Sequence, residues 1–142
     1  MVGKYKPISF KLKTKLSDKY FRVLVFDNVN QMRSDYKESR LFNNDDLDFA
    51  GLCSGYEKVL VSDNGEETVS DDIGEIRLAK TKLSSRVIAH ELIHAALQLF
   101  RSERKSVNFK ESCDELEEEF ALLYGEMTRR MILNLYRTEL WK

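Results

Sequence analysis

Residues 85–101 read SRVIAHELIHAALQLFR, a stretch that predicts a helix with apolar side chains on most of its surface. At 3.6 residues per turn, the apolar residues occupy two sides of this helix and the polar residues occupy a single sector. The apolar sides are formed by Ile88, Leu92, Ala95 and Leu99, and by Ala89, Ile93, Ala96 and Phe100. The polar sector contains His90, Glu91, His94 and Gln98. A buried polar group without a partner costs about 1–3 kcal/mol, so we expect a buried helix whose polar sector faces a ligand.

The polar sector contains the pattern His-Glu-x-x-His at His90, Glu91 and His94. Residues four apart are neighbours on one helix face, so both imidazoles can bind the same metal ion. The glutamate lies close enough to activate a water molecule that the ion polarises. Zinc fits because it accepts imidazole and carboxylate ligands and lowers the pKa of water to about 7. We therefore predict zinc as cofactor, His90 and His94 as its ligands, and Glu91 as general base.

A catalytic zinc site needs a third protein ligand, and the chain contains only two histidines. Enzyme classes whose third ligand is a downstream histidine are therefore excluded. Residues 112–137 predict a second long helix. Its inward stripe is formed by Leu116, Phe120, Leu123, Tyr124, Met127 and Met131. Glu117 lies near that stripe, at an edge that we expect to be buried, and we predict it as the third ligand; the alternatives are Glu118, Glu119 and Cys53.

The first half of the chain predicts a small sheet and a short helix. Apolar residues alternate with lysines along residues 8–16, which is typical of a half-buried strand. Further elements are predicted at residues 20–26 and 74–79 (strands), 29–40 (helix) and 62–72 (acidic loop). Residues 49–53 and 58–61 flank Ser54-Gly55 and predict a hairpin.

Strands followed by helices, without regular β-α-β alternation, indicate an α+β fold. We predict a small, mostly antiparallel N-terminal sheet with a short helix, followed by the helix that carries the histidines and by a long C-terminal helix. The helices are expected on one face of the sheet. The length of 142 residues is typical of one domain, so residues 1–142 are interpreted as a single domain.

The composition narrows the class of protein. Hydrophobic residues make up 42% and charged residues 33% of the chain, which excludes collagen-like and linker-like proteins. The net charge of -1 gives no overall field that would attract nucleic acid or an anionic membrane. No segment approaches about 18 uninterrupted apolar residues, and the N-terminus lacks the apolar run of a signal peptide. We expect a cytoplasmic protein in which Cys53 and Cys113 are free thiols.

The pentapeptide His90-Glu91-x-x-His94 precedes a glutamate-rich helix start, CDELEEEFALLYGEM at residues 113–127. This arrangement resembles the gluzincin group of zinc metallopeptidases, over residues 74–131. Within that group it is most similar to minimal phage- and mobile-element-type metallopeptidases and to the ImmA/IrrE family of repressor-cleaving peptidases. The resemblance implies a minimal zincin-like fold, a zinc ligand among residues 117–119, and a single intracellular protein as substrate.

A second resemblance concerns the third ligand. Peptide deformylases carry the same pentapeptide on a helix and use an upstream cysteine in a Gly-Cys-Leu-Ser-like context. The stretch Leu52-Cys53-Ser54-Gly55 is weakly similar to that context. This similarity keeps Cys53 open as an alternative ligand.

These features together predict a zinc-dependent metallopeptidase that hydrolyses a peptide bond in a specific protein, and the resemblance implies that a phage or mobile element encodes it. Residues 74–79 are expected to bind the substrate as an added strand. Tyr124 and Tyr56 are candidates for stabilising the oxyanion. The alternative is a non-catalytic zinc-binding interaction protein on the same fold, an antagonist of a host factor. The intact Glu91 argues against it, because a purely structural zinc site needs no base.

Overall fold

The computed structural model describes residues 6–39, 50–103 and 113–141. Its elements, in chain order, are β1 (Ile8–Lys13), β2 (Tyr20–Phe26), α1 (Val29–Ser39), β3 (Gly51–Gly55), β4 (Val59–Val61), β5 (Glu67–Val69), β6 (Asp72–Ala79), α2 (Ser85–Glu103) and α3 (Cys113–Arg137). The predicted α+β class, with a long C-terminal helix, is confirmed. Within the described ranges, no helix combines the length and apolar composition needed to cross a lipid bilayer.

Four strands form the main sheet, in the order β1-β2-β6-β3. The β1–β2 and β3–β6 pairs are antiparallel, and the central β2–β6 pair is parallel. Strand β6 is buried along its whole length because it lies between two other strands and is covered on both faces. The sheet is therefore mostly antiparallel, as predicted, with one parallel pair at its centre.

The two faces of the sheet are covered by different helices. One face packs against α2 and α3 to form the main core. Its fully buried members include Phe21, Val23, Val25, Ile76, Leu78, Leu92, Met127 and Met131. On the opposite face, Met32 of α1 packs against Phe26 and Ala79. The expectation that all helices share one face is therefore wrong for α1, because β2 and β6 carry apolar side chains on both faces.

The predicted hairpin between residues 49–53 and 58–61 is also wrong, and Phe49 lies outside the described residues. Strand β3 pairs with β6, from Gly51 opposite Leu78 to Gly55 opposite Gly74. Strand β4 pairs instead with β5, which forms within the stretch predicted as an acidic loop. The predicted hairpin does not form because β3 pairs with the buried β6 in the main sheet, and these two strands are distant in sequence.

A substitution at Gly74 of β6 tests how tightly the sheet is packed. A Cβ atom at this position would overlap the ring of Phe21 and lie 2.6 Å from the backbone oxygen of Ser54. We expect Gly74→Ala to lower the free energy of unfolding by about 1–3 kcal/mol, because neither neighbour can move freely. Urea denaturation followed by circular dichroism measures this change.

The control is Gly125→Ala in α3, where an added Cβ would meet no atom within 4 Å. Alanine has the higher helix propensity, so this variant should be more stable by about 0.5–1 kcal/mol. Equal stabilities of the two variants would contradict the close packing around Gly74.

Candidate active site

Helix α2 begins where the sequence predicts. The hydroxyl of Ser84 accepts a hydrogen bond from the backbone N–H of Val87 at 3.2 Å, which caps the first turn. The side predicted to be formed by Ile88, Leu92, Ala95 and Leu99 is buried in the core. On the other predicted apolar side, however, Ala89 is exposed and Ile93 is 42% exposed. The expectation of a helix buried on all apolar sides is therefore wrong in its first half.

The two histidines lie side by side in the polar sector. Their Nε2 atoms are 3.3 Å apart, and the two rings pack edge to face. Two nitrogen ligands on a tetrahedral zinc ion, each bonded at about 2.0–2.1 Å, are about 3.3–3.4 Å apart. The separation of the pair therefore matches that of two ligands of one zinc ion. The His90 side chain is 68% exposed, so an ion can reach it from solvent.

Glu91 is in a different environment from the two histidines. Its side chain is only 7% exposed, and its Oε1 lies 3.8 Å from Nε2 of His90. The backbone N–H of Cys53 donates a hydrogen bond to the carboxylate. Burial raises the pKa of Glu91, while the two neighbouring histidines and this hydrogen bond oppose the rise. The polar sector was expected to be buried. Within the pentapeptide, this expectation holds for Glu91 and is wrong for the two histidines.

Two glycines allow α2 to approach β3 closely. A Cβ atom on Gly51 would lie 2.9 Å from Cγ1 of Val87 and 3.1 Å from Cγ of Glu91. A Cβ atom on Gly55 would overlap the amide of Gln98, which donates a hydrogen bond to the Ile73 carbonyl at 3.1 Å. At both positions, side chains of α2 therefore occupy the space that a Cβ atom on β3 would fill.

Strand β3 forms the edge of the sheet next to the histidines. Its backbone bonds alternate: the N–H of Tyr56, just past the strand, reaches the Ile73 carbonyl at 2.9 Å, whereas the N–H of Cys53 points away from β6 to Glu91. The outer edge of β3 therefore presents backbone groups of Gly51, Cys53 and Gly55. By contrast, β6 pairs with strands on both of its sides, so the expectation that residues 74–79 accept a substrate strand is wrong.

The cavity between α2 and β3 has a volume of about 420 Å³. Its lining residues are Gly51, Leu52, Cys53, His90, Glu91, His94, Leu97, Gln98 and Arg101. The histidine pair, the buried carboxylate and the strand edge thus face one open space.

The candidates for the third ligand lie in different places. Among the described residues, no group of three histidine, cysteine or acidic side chains has a spacing suited to a metal ion. Glu117, Glu118 and Glu119 are exposed on α3 and do not line this cavity. The edge of α3 around Glu117 is therefore not buried as expected, and the identity of the third ligand stays a prediction.

Cys53 lines the cavity and is a free thiol, as predicted. The side chain of Cys113 lies outside the described part of the chain. Burial raises the pKa of the Cys53 thiol to about 12, and the charge of Glu91 adds to this effect. The thiol is therefore protonated in the absence of a metal ion.

Neither oxyanion candidate lines the cavity beside the histidines. The hydroxyl of Tyr124 donates to the Ala89 carbonyl on α2 at 3.4 Å. The hydroxyl of Tyr56 donates to Asp72 at 2.6 Å and accepts a hydrogen bond from Arg22 at 3.3 Å. Both hydroxyls thus have partners in the protein, and Tyr56 belongs to an ion-pair cluster on the sheet.

Sequence reasoning missed three residues that shape the cavity. Gly51 and Gly55 were not recognised, because their role depends on a helix that follows 30 residues later. Arg101 was also missed, although a spacing of seven residues places it on the same helix face as His94. The seven-residue spacing from His94 is the sequence feature that could have predicted Arg101 as a lining residue.

Comparisons of the chain with protein-family models, with curated proteins and with solved structures find no match. The functional interpretation therefore depends on the residues of this cavity and on their geometry.

The position of Tyr56 leads to a stability prediction. Tyr56→Phe removes the hydroxyl that joins Asp72 to Arg22, and we expect a loss of about 1–2 kcal/mol in the free energy of unfolding. The zinc content should not change, because Tyr56 does not line the histidine cavity. Urea denaturation and elemental analysis measure the two quantities. The control Tyr136→Phe, at a residue that is 53% exposed, should alter neither, and zinc loss in Tyr56→Phe would contradict this assignment.

Proposed function

We propose that this protein is a zinc-dependent metallopeptidase that hydrolyses a peptide bond in a protein or peptide substrate. The observation that carries the proposal is the 3.3 Å separation of the His90 and His94 Nε2 atoms beside the buried carboxylate of Glu91. This separation suits two ligands of one ion. The same cavity is bordered by β3, whose outer edge pairs with no other strand in the described ranges and can pair with an extended peptide.

Zinc, when bound, polarises the scissile carbonyl and lowers the pKa of water, so that water becomes a nucleophile at neutral pH. His90 and His94 would hold the ion. Glu91 accepts the proton of the attacking water and delivers it to the departing amine. The hydrogen bond from the Cys53 N–H favours the charged form of Glu91, which is the form that acts as a base.

The substrate is oriented by the strand edge. Backbone groups of Gly51 and Gly55 face outward and can pair with an extended peptide in the antiparallel sense, whereas the N–H of Cys53 is taken up by Glu91. Because Glu91 contacts the same strand, a peptide paired there runs next to the general base. This arrangement needs no deep pocket.

Replacement of the general base tests the proposal. We expect Glu91→Gln to retain zinc and to lose peptide hydrolysis by at least about 100-fold, because the amide cannot accept the proton. Elemental analysis measures zinc, and mass spectrometry of a proteome-derived peptide library measures cleavage. His94→Ala should lose both zinc and activity.

The matched control is Glu103→Gln, at an exposed position near the end of the same helix. It should retain zinc and activity. Undiminished cleavage by Glu91→Gln, or a zinc-loaded wild-type protein that cleaves no library peptide, would refute the proposal.

The third ligand is proposed to be Glu117. We expect Glu117→Gln to lower the affinity for zinc at least tenfold, because loss of a ligand leaves the site incomplete. Cys53→Ser should leave the affinity unchanged, since the proposed set of ligands does not include this thiol. Competition with a chromogenic chelator measures both variants, with Glu118→Gln and Glu119→Gln as controls. Undiminished affinity in Glu117→Gln would overturn the assignment.

The second candidate is a non-catalytic zinc-binding protein that antagonises a host factor. It is favoured by the β4–β5 hairpin, whose aliphatic side chains Val59, Leu60, Val61 and Val69 are 48–66% exposed. Such an apolar surface is typical of contact with another protein. A biological effect that persists in Glu91→Gln would favour this candidate over the peptidase.

A further inference from the structure

The cavity beside the histidines continues into a second one. Gln98 and Arg101 line both, and the second cavity has a volume of about 350 Å³. Its lining also includes Lys19, Tyr56, Glu57 and Ser102. Together the two cavities form one groove that runs from His90 to Lys19. We call the second cavity the distal groove.

Arg101 is the positive group shared by both parts of the groove. Its side chain is exposed, and it makes no ion pair with any residue in the described ranges. Lys19 adds a second positive charge, with Nζ held at 3.0 Å from the Ser102 carbonyl oxygen. Glu57 is the acidic residue that lines the distal groove. The distal groove therefore favours a negatively charged group next to Arg101.

The direction of a bound peptide follows from the contacts of β3. Gly51 lies against Val87 and Glu91, and Gly55 lies against Gln98, so β3 runs in the same direction as α2. A peptide paired antiparallel to β3 therefore runs from the Gly55 end towards the Gly51 end. Its N-terminal residues then lie in the distal groove.

The distance between His94 and Arg101 indicates which residue of a bound peptide lies next to Arg101. Seven residues of helix separate His94 from Arg101, which is about 10.5 Å at 1.5 Å per residue. An extended peptide advances about 3.3 Å per residue, so this length corresponds to about three residues.

From these observations we propose that Arg101 binds an acidic side chain of the substrate, about three residues N-terminal to the scissile bond. The inference rests on the proposed peptidase function and adds the substrate class to it. A carboxylate suits the planar guanidinium of arginine, which can donate two parallel hydrogen bonds.

The test is the cleavage profile of the zinc-loaded protein on a proteome-derived peptide library. We expect aspartate and glutamate to be enriched about fivefold over asparagine and glutamine at the second, third or fourth residue before the cleaved bond, as suits an exposed ion pair. Arg101→Glu should lose this preference and favour lysine and arginine there, and Arg101→Lys should retain part of it. Synthetic peptide pairs that differ only as Glu or Gln at this position should show the same ratio in kcat/KM.

Arg137→Glu is the matched control, because it makes the same charge change at an exposed residue that lines neither cavity. Its profile should equal that of the wild type. Cleavage by the wild type without acidic enrichment, or an unchanged profile in Arg101→Glu, would overturn the role of Arg101 and leave the peptidase function standing. Absence of any cleavage by the zinc-loaded wild type would refute both.

Discussion

The close approach of α2 to β3 is the constraint on which the candidate site depends. At Gly51 an added Cβ atom would lie 2.9 Å from Val87, and at Gly55 it would overlap Gln98. A larger residue at Gly55 would displace the Gln98 amide, and one at Gly51 would crowd the side chains of Val87 and Glu91. The absence of side chains at these two positions therefore lets residues of α2 pack directly against the backbone of β3.

The pentapeptide on α2 is divided between two environments. His90 and His94 are exposed, whereas Glu91, one position on, is 5% exposed. A step of one residue turns the side chain by about 100°, which moves it from the cavity mouth to the contact with β3. The two imidazoles are therefore open to solvent, whereas the carboxylate is enclosed between α2 and β3.

The position of β3 depends in turn on β6. Arg77 of β6 is 2% exposed and pairs with Glu75 at 2.7 Å and with Asp35 of α1 at 3.1 Å. A buried charge without a partner is costly, so the pair with Asp35 favours the orientation in which this face of β6 turns towards α1. Ile76 and Leu78 face the main core beneath α2. Strand β3 pairs with β6 along its length and lies beside the histidines.

Much of the fold followed from local pattern. The apolar periodicities of β1, β2, α2 and α3, and the adjacency of His90 and His94, depend on residues within one or two turns or on alternation along one strand. Local pattern did not predict the pairing of β3 with β6 or the exposure of Ala89 and Ile93. It also did not predict the hydrogen bond from the Tyr56 hydroxyl to Asp72. An amphipathic pattern shows which side of an element is apolar, but only the packing of distant segments decides what covers that side. For the same reason the sequence alone identified the acid and the two histidines, whereas the tertiary structure determined which strand edge lies beside them.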